Sequence, residues 1–170
     1  REAIKKQCKV FLRTLSSLKN TTLIFTMPNS DVNSSQIEIQ IKQFCKKQKN
    51  AFFFKSLGRK VYFSCIKAVD AVIGNSSSGI IEVPSLKKPS IDIGKRQHGR
   101  VRARSVLSCE FNQPSILKSI KMIYSKNFLS KVKNFENPYY KKNSIKKIIE
   151  IINRSKLNGT KGKIFFDIKF

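Results

Sequence analysis

Short apolar runs alternate with helix-spaced segments along this chain, and that alternation limits its fold more than any other feature. Residues 21–27, 51–55, 70–73 and 89–93 are β-rich or apolar and are bounded by turn residues. Between them the apolar period changes. Ile4, Cys8, Phe11, Leu12, Leu15 and Leu18 fall at helical spacing over residues 2–18. Ser34 reads as the cap of a helix over 35–47, with Ile37, Ile41, Phe44 and Cys45 on one face. The stretch 60–69 predicts a helix with Val61, Cys65 and Ala68 inward, and 79–84 a short one. Beyond Pro114 the pattern is helical over about 115–124, 127–134 and 144–154. Strand, helix, strand in succession predicts an α/β fold, a parallel sheet with helices on both faces.

Such a sheet binds ligands beyond the carboxyl ends of its strands. Four loops follow strands here: those at Asn29, at Leu57-Gly58, at Ser76 and at Gly94. They are expected along one rim. The third is the most telling. Ile73-Gly74-Asn75-Ser76-Ser77-Ser78-Gly79 is a small-residue loop between a strand and a helix, a layout that offers backbone N–H groups to a phosphate. Ser76 and Ser77 add hydroxyls, and Gly79 is expected to let the backbone approach a ligand closely. Glu82 follows about one helical turn on, where a carboxylate can accept both hydroxyls of a ribose. A short Gly/Ser loop alone reads first as an ordinary helix cap with a solvent-facing glutamate, since such matches are common.

Arginines strengthen the nucleotide reading. Arg96, Arg100, Arg102 and Arg104 cluster in a chain where lysine far outnumbers arginine. Guanidinium suits bidentate phosphate recognition, though Arg102 and Arg104 read equally as a solvated basic loop. Across the 170 residues the formal net charge is +25. Its lysines are spread along the chain, so the charge reads as a cationic surface that attracts polyanions at low salt, not as a nucleic-acid site. No nucleic-acid-binding motif is present, and no specific nucleic acid is expected as partner. Cys8, Cys45, Cys65 and Cys109 lie far apart, and with His98 as the lone histidine no zinc set forms. Four reduced, mostly buried thiols are expected, with no metal and no cofactor. No apolar run spans a bilayer and no leader is evident, so a cytoplasmic protein with no membrane partner is the expectation.

Three blocks together carry a family resemblance: Met27-Pro28-Asn29-Ser30-Asp31, the serine loop through Glu82-Val83-Pro84-Ser85, and Ile91-Asp92-Ile93-Gly94-Lys95-Arg96-Gln97-His98-Gly99-Arg100. In order and spacing they resemble the hydrolysing UDP-N-acetylglucosamine 2-epimerases, from about residue 2 to 154. That resemblance implies one half of a glycosyltransferase-B-like two-domain fold, the carboxyl-terminal UDP-binding Rossmann-like domain over residues 1–155, with a basic tail over 156–170. It implies UDP or a UDP-N-acetyl amino sugar as ligand and a homo-oligomer in the full-length form. By position, Ser76, Ser77 and Gly79 would meet the diphosphate, Glu82 the ribose and Arg96 the phosphates. Asn29 would line the pocket and the backbone at Leu57 would receive the uracil. No catalytic residue is implied within this chain: the family's histidine precedes the first helix, and its acid/base carboxylates lie in the other half. His98 fills a variable slot of its motif and reads as an exposed loop residue. A glycosyltransferase of the same architecture is the alternative enzyme.

Overall fold

The computed structural model describes residues 2–27 and 34–155. Asn29 and the tail over 156–170 lie outside the described residues. The chain divides into two compact units, Arg1–Tyr139 and Tyr140–Phe170, and the expected boundary after residue 155 falls inside the second.

In the first unit, helix α1 (Glu2–Ser16) leads to strand β1 (Leu23–Thr26), then α2 (Ser34–Lys47), β2 (Ala51–Phe54), α3 (Gly58–Ala68) and β3 (Val72–Gly74). A single helical turn, α4 (Ser78–Ile81), runs into a 3₁₀ turn (Val83–Leu86). After these come β4 (Ser90–Ile93), β5 (Val106–Cys109), α5 (Gln113–Ile123) and α6 (Lys126–Val132). Among the described residues all strand pairs are parallel, but they form two sheets. β1 pairs with β2, Leu23 opposite Ala51. β4 lies between β3 and β5, with Ser90 opposite Val72 and Val106.

Strand β4 shows how the larger sheet is covered. All four of its residues are buried, as expected of a parallel strand covered on both faces. Ile91 and Ile93 pack with Ile116, Ile120 and Ile123 of α5 on one face. Ser90 turns to the other face, where its hydroxyl donates to Gly79 O of α4. The smaller sheet has its own core, in which Cys8 and Leu12 of α1 meet Ile41 of α2 with Phe25 and Phe53 beside them. Helix α1 serves both: its Phe11, with Leu18 just beyond its end, packs into the α5 core, and Phe11 meets Phe111 edge to face.

The two sheets leave open edges. Leu23 and Met27 donate backbone N–H to Asn50 and Phe54. The alternation of a parallel ladder therefore turns the peptide groups of Ile24 and Thr26 away from β2. Val72 donates to Pro89, so Ile73 faces away from β4 in the same manner. Among the described residues no strand pairs with either edge.

Three local expectations are corrected. β5 lies where none was predicted; its four residues pair with β4 on a register that local pattern does not reveal. Helix α3 begins earlier, at Gly58 with φ +63°, and rolls onto a different face. Ile66 is buried and Tyr62 half-buried, while Val61 and Ala68 are exposed. Of the cysteines only Cys8 is buried; Cys45, Cys65 and Cys109 are half-buried.

The second unit contains α7 (Ser144–Arg154). Ile145, Ile148, Ile149, Ile151 and Ile152 are all more than half exposed.

Candidate functional site

The loops after β3 and β4 meet at the carboxyl end of the larger sheet. The contact is direct: Gln97 Nε2 donates to Asn75 O at 2.9 Å. Gln97 is buried although the turn around it faces solvent. Gly94 makes the exit from β4. Its φ is +80°, and an added Cβ would stand 3.3 Å from the Phe111 ring, so only glycine fits without movement.

The serine loop is tied from three sides. Tyr62 Oη of α3 and Ser78 Oγ hydrogen-bond at 2.7 Å. Ser76 O accepts from Gly79 N–H, and Ser76 Oγ accepts weakly from Ser78 N–H at 3.4 Å. Ser90 holds Gly79 from beneath. The place of a Cβ on Gly79 lies 3.8 Å from Ser90 Cβ, so the space this glycine spares is on the strand side. Helix α4 is only four residues long, so its dipole adds little; hydroxyls and loop amides are the donors on offer.

Glu82 caps α4, its N–H donating to Ser78 O at 3.0 Å. Its Oε2 is buried and, among the described residues, has no hydrogen-bond partner. Buried carboxylate oxygens are rarely left so in a protein at rest. Asn137 braces this turn: its Nδ2 donates to Ile81 O at 2.8 Å and Ser85 Oγ at 2.6 Å. Leu57 is half-buried at the start of α3, one turn before Tyr62, so its helix reaches the serine loop. Arg96 is exposed in the turn beside Gln97, and His98 is exposed as expected.

Arg102 corrects the sequence reading. It is no solvated loop residue: Nη2 reaches Asp92 Oδ2 at 2.9 Å and Gln97 O at 2.8 Å, and Nη1 donates to Arg100 O. Arg104 is exposed, as expected. Sequence reasoning also missed Gln97, Tyr62 and Asn137 as parts of the site's frame. One signal was present: a charged Asp92 between Ile91 and Ile93 on a buried strand needs a cation close by. Among the described residues no three metal-ligating side chains converge, and no helix is long and apolar enough to cross a membrane.

A parallel sheet covered by helices, with a serine loop, a carboxylate and an arginine turn at its carboxyl rim, defines a domain of the Rossmann-like α/β class. More narrowly, the chain belongs to the UDP-N-acetylglucosamine 2-epimerase family, whose pattern it matches over residues 1–153. It is 37% identical over 169 residues to the polysialic acid biosynthesis protein P7 of Escherichia coli, covering 98% of this chain and 43% of that protein. It is 43% identical over 109 residues to the GDP/UDP-N,N'-diacetylbacillosamine 2-epimerase (hydrolyzing) of Campylobacter jejuni, covering 64% of this chain and 28% of that one. The crystal structure of UDP-GlcNAc 2-epimerase from Neisseria meningitidis bound to UDP-GlcNAc superposes with a TM-score of 0.66 at 18% identity, over 89% of this chain and 41% of that one. The chain thus spans less than half the length of these relatives. Its fold is one half of a glycosyltransferase-B-like architecture.

Proposed function

We propose that this chain is the UDP-holding part of a hydrolysing UDP-N-acetylglucosamine 2-epimerase. Its substrate is UDP-N-acetylglucosamine or a related UDP-acetamido sugar, and its products are an N-acetylmannosamine-type sugar and UDP, in sialic-acid-like sugar biosynthesis. The observation that carries the proposal is Glu82 Oε2, buried and unpartnered among the described residues within a turn of the serine loop. An acceptor held dry in this way suits the paired hydroxyls of a ribose. Ser76, Ser77 and the loop at Gly79 then meet the diphosphate, Arg96 adds a cation, and the backbone at Leu57 receives the uracil. Asn29 joins them by resemblance alone. In this reading residues 1–155 serve as the UDP-binding domain and 156–170 as a basic tail.

In the reaction, removal of the sugar C2 proton and departure of UDP give a glycal, to which water adds. Negative charge grows on the departing diphosphate. Loop amides, serine hydroxyls and Arg96, fixed in advance, stabilise that charge. The proton transfers belong to groups outside residues 1–170, so the chain alone binds UDP without turning over. A cytoplasmic homo-oligomer, with neither nucleic acid nor membrane as partner, belongs to the same proposal.

Titration calorimetry with UDP tests it. Binding is expected, weakened about tenfold or more by Glu82→Ala and by Ser76→Ala, the scale of a lost hydrogen bond to a charged ligand. Absence of heat at about millimolar UDP, the weak end of measurable affinity, defeats the proposal.

A further inference from the structure

Gln97 sits where two observations meet. First, it belongs to a polar relay that starts in the core. Asp92 on β4, 4% exposed, accepts from Arg102 Nη2, and the same nitrogen donates to Gln97 O. Gln97 Nε2 then donates to Asn75 O. The relay runs from the middle strand of the sheet to a single peptide of the serine loop. Second, that peptide is the one joining Asn75 to Ser76, both exposed. In a trans peptide the C=O and N–H point in opposite directions. A carbonyl drawn toward Gln97 therefore turns the Ser76 N–H away from Gln97 and toward the open side of the loop. A hydrogen bond accepted at the oxygen also polarises the amide and strengthens its N–H as a donor. Among the described residues the Ser76 N–H has no acceptor.

We propose that Gln97 is a positioning residue that aims and polarises the Ser76 amide at an oxygen of the diphosphate, with Arg102 and Asp92 holding Gln97 in place. This rests on the reading of the loop as a UDP site. It also explains a costly arrangement: a glutamine buried in an exposed turn, with its side chain donating to a loop carbonyl.

The test uses the whole chain, labelled with nitrogen-15, and two near-isosteric variants. Gln97→Met removes the donor, and Gln97→Glu replaces the NH₂ with an oxygen. The amide proton and nitrogen shifts of Ser76 are followed without ligand, and UDP affinity is measured by calorimetry. Both variants are expected to move the Ser76 amide upfield and to weaken UDP binding about tenfold, with the rest of the spectrum largely intact. Should Gln97→Met fail to fold, Gln97→Glu, which keeps shape and polarity, carries the measurement. An unmoved Ser76 amide in a folded variant overturns the proposal. So does a moved Ser76 amide with unchanged UDP affinity. Wild-type chain that gives no heat with UDP defeats the nucleotide reading itself, and with it the diphosphate as target. Wild-type binding with an unmoved amide defeats only the role of Gln97.

Discussion

Asp92 and Arg102 show how much one residue pair can decide. Asp92 is almost wholly buried, and its side chain relies on the Arg102 guanidinium. Arg102→Met should destabilise the fold by about 3 kcal/mol in urea unfolding, because a buried carboxylate is then left uncompensated. Asp92→Asn on that background should recover a good part of the loss. Half of this pair was legible: an aspartate alternating with isoleucines on a strand calls for a cation. Which arginine answers was not, because Arg96, Arg100, Arg102 and Arg104 look alike in sequence and only the path of the turn selects one. A second residue-scale effect concerns pH. Burial pushes the Cys8 thiol above its ordinary 9.0, and Cys109 likewise. The unfolded chain then loses these protons first as pH rises, so their contribution is whole below about pH 9 and lost above it. The urea midpoint should therefore fall above about pH 9, and less steeply in Cys8→Ala.

Elements were legible where their signal is local. Helix α5 announces itself by Asn112, whose Oδ1 accepts from Ser115 N–H at 2.9 Å, and by Ile116, Ile120 and Ile123 in phase. Asn112→Ala should cost about 1 kcal/mol, the usual price of an N-cap, read as a shift in the thermal or urea midpoint. Ile116→Ala should cost about 2–5 kcal/mol, since Ile116 is fully buried between α5 and β4. Two elements escaped for a common reason. β5 is four residues whose strand character comes from pairing with β4, and the inward face of α3 is set by Ile66 and by the Tyr62–Ser78 bond. Tertiary partners override weak local preference in both. The serine loop was legible as a phosphate-type loop from its small residues, whereas its braces from Gln97, Tyr62 and Asn137 are long-range.

At the scale of the first unit, the sheet that the alternation predicts is present as two parts. Strand signals are local and were mostly found; which strand lies beside which is non-local, and the interruption between β1 and β3 left no mark in the pattern. Helix α1 is the element common to both cores. Amide hydrogen exchange should therefore grade across the molecule. Protection is expected to be highest on β4, covered on both faces, and lower on β1 and β2, where Ile24, Phe52 and Phe54 remain substantially exposed. Equal protection of β1 and β4 would show that the two cores open as one.

The outward peptide groups of Ile24, Thr26 and Ile73 bear on how long such a molecule stays in solution. A row of peptide groups that no strand pairs among the described residues, with the exposed Ile24 beside it, is a template for a further strand, including one from a neighbouring copy. Association through these edges is thus tied to concentration, and light scattering should rise with it. Ile24→Lys, a charge set beside the open row, should slow that growth.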